Sequence, residues 1–73
     1  MTVLEKIKEL RKLNKYRKFL IYVVYDKCYE IKFKGNSDTA LQLARFRSWG
    51  QLTVTKVFTG DLDYWVLEVE NEK

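Results

Sequence analysis

Side chains that commonly carry out catalysis are scarce in this chain of 73 residues. It has no histidine and one cysteine, Cys28, which excludes a histidine base, a histidine-ligated metal, a cysteine zinc site and an intrachain disulfide. Its serines are Ser37 and Ser48, and Ser37 is expected to cap a helix. Glu68 and Glu70 share one face of a predicted strand, which is typical of a solvated surface rather than of metal ligands. We therefore expect no enzyme, no metal site and no cofactor.

Basic side chains supply the clearest candidate for binding chemistry. The chain carries 14 Lys and Arg against 10 Asp and Glu, a net charge of +4, and residues 11–18 contain no acid. The basic residues of this stretch are Arg11, Lys12, Lys15, Arg17 and Lys18. Tyr16 lies among them and can stack on a nucleic-acid base. The cluster suits the phosphates of nucleic acid or an acidic protein surface. Alternatively, it reflects the preference of cations for a helix C-terminus and serves solubility.

The position of this cluster predicts a role in binding rather than in folding. The cluster lies where a predicted helix ends and a predicted strand begins, so truncating its long side chains removes little core packing. No RNP-type aromatic pattern, GXXG loop or zinc-finger spacing accompanies it. Its chemistry therefore predicts contact with anions but no base-specific recognition.

Two helices are predicted. The first covers about residues 2–15: Thr2 and Glu5 form a capping-box pattern, and apolar residues recur at helical spacing. The second runs from residue 38 to about residue 49, with Ser37 as its N-cap and Gly50 as its stop. Arg47 projects into the apolar side of this helix. It either forms a contact patch with Trp49, since Arg and Trp are favoured in binding hot spots, or simply extends along the apolar surface to water.

Four strands are predicted, at residues 19–25, 28–34, 51–59 and 64–70, followed by a frayed tail at residues 71–73. In the second strand, Tyr29, Ile31 and Phe33 alternate with charged residues, and in the fourth Trp65 shares an apolar face with Leu67 and Val69. The predicted class is α+β: a small single domain of residues 1–73 in the order α-β-β-α-β-β. It comprises an N-terminal amphipathic helix (about residues 2–15) and a ββαββ unit (about residues 19–70). We expect a four-stranded, mainly antiparallel sheet of two hairpins with a helix packed on one face.

The first strand is apolar on both faces, so both faces need cover. One arrangement places the two helices on opposite faces of the sheet. The other leaves one face for another chain, and that face is expected to carry Phe19, Ile21, Val23 and Tyr25 with Val57, Tyr64 and Val66. We favour the second arrangement, because 73 residues supply little stability alone. It predicts a homodimer or an obligate partner, with Tyr22 and Tyr25 among the binding residues if their face is uncovered.

The longest apolar run, residues 19–25, is too short to cross a membrane, and charged residues near the N-terminus argue against a signal peptide. With a lone cysteine, this predicts a cytoplasmic location without membrane contact. In size, lysine and aromatic content, and lack of catalytic residues, the chain resembles small accessory proteins of phages and mobile elements. That resemblance implies a protein that binds and modulates a host protein, for example as an inhibitor, and it assigns no role to any residue.

The leading hypothesis is therefore a non-enzymatic protein-binding module that occupies a partner's functional surface. The alternative is a small basic nucleic-acid-binding protein that contacts phosphates through residues 11–18. A third hypothesis is that the protein is a structural subunit of a larger assembly.

Overall fold

A computed structural model describes residues 1–71; residues 72 and 73 of the expected tail lie outside this description. Within that range the elements are α1 (Val3–Leu13), β1 (Lys18–Val24), β2 (Tyr29–Gly35), α2 (Ser37–Phe46), a 3₁₀ helix (Ser48–Gln51), β3 (Val54–Phe58) and β4 (Tyr64–Val69). The α+β class and the order α-β-β-α-β-β are confirmed. Among residues 1–71, no helix combines the length and apolar character that crossing a membrane requires.

Local capping determines where both helices begin. The Thr2 backbone N–H donates to Glu5 Oε1 at 2.8 Å and the Glu5 N–H donates to Thr2 Oγ1 at 3.3 Å, which completes the predicted capping box. In α2 the N-cap is Asn36, whose side chain accepts from the Thr39 N–H at 2.8 Å, and the prediction that Ser37 caps this helix is wrong. The Ser37 hydroxyl instead donates to the Lys15 carbonyl and ties α2 to the segment after α1.

The sheet has the strand order β2-β1-β4-β3. The pairs β1–β2 and β3–β4 are antiparallel hairpins, as predicted, while β1 and β4 run parallel at the centre, with Ile21 opposite Leu67. The two central strands are also the two most apolar ones. The central position buries their backbone groups between neighbours and leaves the less apolar β2 and β3 at the edges.

Both helices pack on the same face of the sheet. The core there is formed by Val3, Ile7, Leu10, Phe19, Ile21, Val23, Ala40, Ala44, Trp49, Leu52, Trp65, Leu67 and Val69. Ile21 is 0% exposed and Val23 2% exposed, so the predicted interface through these residues is wrong: this chain covers them itself. The sandwich with helices on opposite faces is also wrong. Trp65, Leu67 and Val69 share the buried face, as predicted.

The face left uncovered is the other one, and the sheet register shows which residues it carries. Leu20 lies beside Val66, and Lys18 beside Tyr64, in the parallel pair. Tyr64 and Val66 therefore lie on the uncovered face, whereas Val57, opposite Leu67, lies on the helix face. The predicted grouping of these three residues on one face is wrong.

A β-bulge in β2 shifts the alternation of that strand. Tyr22 pairs with Ile31, but Ile21 pairs with Phe33, so Lys32 is the extra residue. Phe33 consequently turns to the helix face, where its ring stacks on Trp49 at a centroid distance of 5.9 Å. The expectation that Phe33 shares a face with Tyr29 and Ile31 is therefore wrong.

Candidate binding surfaces

A groove between α1 and α2 collects basic side chains from both helices. It has a volume of about 460 Å³, and we call it the basic groove. It is lined by Lys8, Arg11, Lys12, Lys15, Leu41 and Arg45. Lys8 lies three and four positions before Arg11 and Lys12, so these three residues share one side of α1, whereas Lys15 lies in the turn that follows the extended C-cap Asn14. Arg45 comes from the last turn of α2, where the helix dipole favours a cation.

Charge in the basic groove is only partly compensated. Arg11 forms an ion pair with Asp38, which links α1 to α2 across the groove. Of the ion pairs described within residues 1–71, this is the only one that involves a residue lining the groove. Lys8, Lys12, Lys15 and Arg45 are exposed. The groove can therefore hold an anion against several cations at once.

The remaining members of the predicted basic cluster lie elsewhere. The Arg17 guanidinium carbon lies 4.2 Å from the centre of the Trp65 ring, and Arg17 Nη1 donates to the Thr59 carbonyl at 3.3 Å. Lys18 lies on the uncovered face, with its Nζ 5.9 Å from the centre of the Tyr64 ring. Tyr16 is 85% exposed and lies beside Lys15, whose Nζ is 5.5 Å from its ring centre. Tyr16, Arg17 and Lys18 nevertheless line one cleft of about 420 Å³, together with Asn14, Leu62, Asp63 and Tyr64. The structure thus divides the predicted cluster between the basic groove and this cleft.

The uncovered side of the sheet presents a continuous apolar surface, which we call the open sheet face. Its apolar and aromatic residues are Leu20, Tyr22, Val24, Tyr29, Ile31, Phe58, Tyr64 and Val66. Leu20, Tyr22, Tyr29 and Ile31 line a shallow cleft of about 370 Å³ on it. Tyr29 is 66% exposed and Ile31 50% exposed. The described part of the chain thus leaves this apolar area exposed to solvent.

Tyr22 is the polar residue at the centre of the open sheet face. Its hydroxyl donates to Glu68 Oε1 at 3.3 Å, and its ring meets that of Tyr29 edge to face at 5.9 Å. Burial, and then the neighbouring Glu68 carboxylate, raise the pKa of Tyr22. Tyr22 therefore remains a neutral hydrogen-bond donor within an apolar surround.

Lysines surround the apolar centre of the open sheet face. Lys34 lies opposite Leu20, with its Nζ 5.6 Å from the Tyr64 ring centre, and Lys18 approaches the same ring. Lys56 lies opposite Glu68 in the β3–β4 pair. The face thus has an apolar centre with a mainly basic rim.

The other predicted contact residues are not part of either surface. Trp49 is 8% exposed and packs in the core, so the predicted Arg47–Trp49 contact patch is not formed; Arg47 itself is exposed at the C-cap of α2. Tyr25 packs against the core, and its hydroxyl donates to Glu30 Oε1 at 2.9 Å, which lowers the pKa of Glu30. Of the two candidate tyrosines of the first strand, Tyr22 and Tyr25, Tyr22 alone lies on an open surface.

Sequence reasoning missed residues on both surfaces. Lys8 lies three and four positions before Arg11 and Lys12, and that helical spacing could have revealed it. Arg45 has no such local signal, because it joins the groove only through the packing of α2 against α1. Tyr29 and Ile31 were predicted as apolar-face residues, but their exposure depends on which face the helices cover.

Comparisons with known proteins found no matching family model, no matching curated protein and no matching solved structure. Among residues 1–71 there is no group of His, Cys, Asp and Glu that could hold a metal ion, and Cys28 is an exposed free thiol. The two surfaces are therefore the features on which an interpretation of function rests.

Proposed function

We propose that this protein is a non-enzymatic binding module that docks a protein partner on the open sheet face and modulates that partner by covering part of its surface. The observation that carries the proposal is the second apolar face of β1. Leu20, Tyr22 and Val24 lie on a central strand, yet neither helix covers them. Contiguous exposed apolar surface of this kind commonly marks an interaction site.

The composition of the open sheet face supports a protein partner. Protein interfaces place aromatic and aliphatic side chains at the centre and polar groups at the rim. Here Tyr29, Ile31 and Val24 provide exposed apolar surface, and the cleft beside Leu20 can receive a side chain from a partner. Tyr22 adds a neutral polar group at the centre.

Charge defines the chemistry of the partner. Lys18, Lys34 and Lys56 lie around the apolar centre. The carboxylates on this side of β4, Glu68 and Glu70, already accept hydrogen bonds, Glu68 from Tyr22 and Thr55 and Glu70 from the Thr53 N–H. A complementary surface is apolar at its centre and acidic at its edge. A second copy of this chain does not have that character, because its own face brings lysines to the contact. The proposed partner is therefore a different protein, and the homodimer expected from the sequence becomes the competing outcome.

The resemblance to accessory proteins of phages and mobile elements extends the proposal to a host protein as partner and to inhibition as the effect. A free, exposed Cys28 is compatible with a reducing, cytoplasmic setting. The alternative, that all of residues 11–18 contact nucleic acid, has weaker support because Arg17 stacks on Trp65. Three members of that cluster, however, line the basic groove on the helix side of the sheet.

Photo-crosslinking in the cell of origin tests the proposal. A benzoylphenylalanine replaces Tyr29 on the open sheet face in one variant and Phe46 on the helix side in another. Both positions are aromatic and exposed, so the two variants are matched. We expect Tyr29 to yield a defined crosslink to one protein, through a peptide with apolar and acidic residues. Adding Ile31→Lys to the Tyr29 variant is expected to abolish it.

Three results contradict the proposal. A crosslink from Tyr29 to the same chain establishes a homodimer instead. Equal crosslinking from Phe46 indicates contact that does not depend on the open sheet face. A crosslink that survives Ile31→Lys shows that the apolar surface does not determine the contact.

A further inference from the structure

The basic groove has a chemistry that the open sheet face lacks. Five of the six residues that line it are cations, and they come from two helices that pack side by side. Asp38 is paired with Arg11, and the Glu5 carboxylate lies near enough to Lys8 to interact with its charge. We propose that this groove binds the phosphate backbone of duplex nucleic acid, independently of base sequence. The proposal does not rest on the proposed protein partner, because the two surfaces share no residue.

The spacing of the cations matches a chain of phosphates. Lys8 and Lys12 lie one turn apart on α1, about 6 Å along the helix axis. That distance is close to two nucleotide steps, since the phosphates of one strand rise about 3.4 Å per nucleotide along the duplex axis. Arg45 faces them from α2, so the groove can hold phosphates of one strand between two walls.

The lining favours a phosphate polymer over an acidic protein. Lysine is depleted in protein interfaces, whose affinity depends on a buried apolar centre. The groove offers three lysines and two arginines around one half-buried apolar residue, Leu41. Phosphate binding needs no apolar centre, because the release of condensed counterions drives it.

The lining also favours duplex over single-stranded nucleic acid. Proteins that bind single strands combine cations with aromatic side chains on which bases stack. None of the six residues described as lining the groove is aromatic. Tyr16 borders the groove beside Lys15 but is not among its lining residues, and Tyr22 and Tyr29 lie on the other side of the sheet. The groove therefore provides backbone contacts, which position a duplex without reading its bases.

Fluorescence anisotropy of a labelled duplex of about 20 base pairs, at about 50 and about 200 mM salt, tests the proposal with two charge-matched variants. The groove variant carries Lys12→Gln and Arg45→Gln, one change on each wall. The control carries Lys27→Gln and Arg47→Gln, both exposed and outside the groove and the open sheet face. Each variant removes two positive charges, from +4 to +2. Circular dichroism verifies that both are folded, and Lys8→Gln with Lys15→Gln replaces the groove variant if it is not.

We expect the groove variant to bind the duplex about tenfold more weakly than the parent and the slope of log K against log salt to flatten by about two. The control is expected to keep the parent's slope, and a shuffled duplex to bind equally well.

Four results overturn the proposal. The first is that the parent does not bind the duplex at the lower salt concentration. The second is that the groove variant and the control lose affinity equally, which would make net charge the only determinant. The third is that a single strand binds more tightly than the duplex; a loss of that affinity with Tyr22→Ala or with Tyr16→Ala then shows whether the single strand is held on the open sheet face or beside Lys15. The fourth is that an acidic peptide of matched charge competes as well as the duplex, which makes the groove a protein site.

Discussion

Arg17 combines a cation–π contact with a long-range hydrogen bond. Its guanidinium stacks on Trp65 and donates to the Thr59 carbonyl, 42 positions along the chain. Trp65 in turn donates from its indole nitrogen to the Asn14 carbonyl at 3.3 Å. This side chain therefore joins the segment before β1 to the β3–β4 hairpin. We therefore expect Arg17 to stabilise the fold more than the exposed Lys12, Lys15 and Lys18 do.

We predict that Arg17→Ala lowers the free energy of unfolding by about 1–2 kcal/mol, because a partly buried cation–π contact and a hydrogen bond are lost. Lys12→Ala, at an exposed position of α1, is expected to change it by less than about 0.5 kcal/mol. Urea unfolding followed by tryptophan fluorescence measures both. Equal effects of the two substitutions would contradict a structural role for Arg17.

At the scale of elements, the 3₁₀ helix depends on close approach to α2. Gly50 is buried, and a Cβ at this position would lie 1.9 Å from the Ala44 carbonyl oxygen and 2.7 Å from its carbon. These are backbone atoms of a helix, which cannot move aside as a flexible side chain can. The packing of Trp49 beneath α2 therefore requires glycine at position 50.

We predict that Gly50→Ala destabilises the protein by about 3 kcal/mol or more, since the 3₁₀ helix must separate from α2. Gly60→Ala is the matched control, because a Cβ there meets no atom within 4 Å. The free energy of unfolding of Gly60→Ala is expected to lie within about 0.5 kcal/mol of that of the parent. Thermal unfolding by circular dichroism compares the two, and a stable, native-like Gly50→Ala protein would show that this contact is not required.

The start of α1 is capped and is also hydrogen-bonded to the backbone at and just before β3. The Val3 N–H donates to the Leu52 carbonyl and the Val54 N–H to the Met1 carbonyl, both at 2.9 Å. Glu5 completes the cap, and hydrogen bonds from the Thr2 backbone N–H and then the Thr2 hydroxyl lower its pKa below the ordinary value of 4.5. Folding therefore favours the ionised carboxylate at this position.

The lowered pKa gives a prediction with a definite sign. A carboxyl whose folded-state pKa is depressed contributes stability above about pH 4.5 and loses it as the pH falls through the folded-state value. Glu5→Gln, which keeps an acceptor without the charge, is expected to lose less stability than the parent on acidification. Urea unfolding at neutral and acidic pH measures the difference, with Glu9→Gln as the control on the same helix. If the free energy of unfolding depends on pH in the same way in the parent and in Glu5→Gln, ionisation of Glu5 does not contribute to stability as predicted.

At the scale of the whole molecule, the sheet separates a core from a surface. Val23 and Val24 are consecutive residues of a central strand, and they lie on its two faces. Val23 is 2% exposed beneath the helices, and Val24 is 45% exposed on the open sheet face. Two consecutive valines thus lie in different environments, one in the core and one on the exposed face of the sheet.

We predict that Val23→Lys prevents folding, because an unpaired buried charge costs several kcal/mol and a domain of this size has about 3–5 kcal/mol of stability. Val24→Lys is expected to fold with near-parent stability and to weaken binding of the proposed protein partner. Circular dichroism and size-exclusion chromatography distinguish the two. A folded Val23→Lys protein would mean that β1 presents the opposite face to the helices.

The sequence by itself determined the order and type of the two helices and four strands. It did not predict the 3₁₀ helix Ser48–Gln51, which lies where the second helix was expected to continue to about residue 49 and the third strand to begin at residue 51; α2 ends at Phe46 and β3 begins at Val54. The Thr2–Glu5 capping box, the apolar spacing of α1 and the apolar face of Trp65, Leu67 and Val69 are local patterns, and local patterns predict helices, strands and hairpins. The pairing of Val24 with Tyr29 was also predictable from a short hairpin. These features depend on residues that are close in the chain.

Only the tertiary structure decided where the surfaces lie. An apolar strand with two similar faces contains no signal for the face on which helices pack, so the open sheet face could not be assigned in advance. The bulge at Lys32 inverted Phe33 because one extra residue changes the phase of a strand. The basic groove required α1 and α2 to meet, as in the ion pair of Arg11 with Asp38, 27 positions apart. Contacts between residues so distant in the chain depend on how all the elements bury their apolar faces together, and no local pattern specifies that.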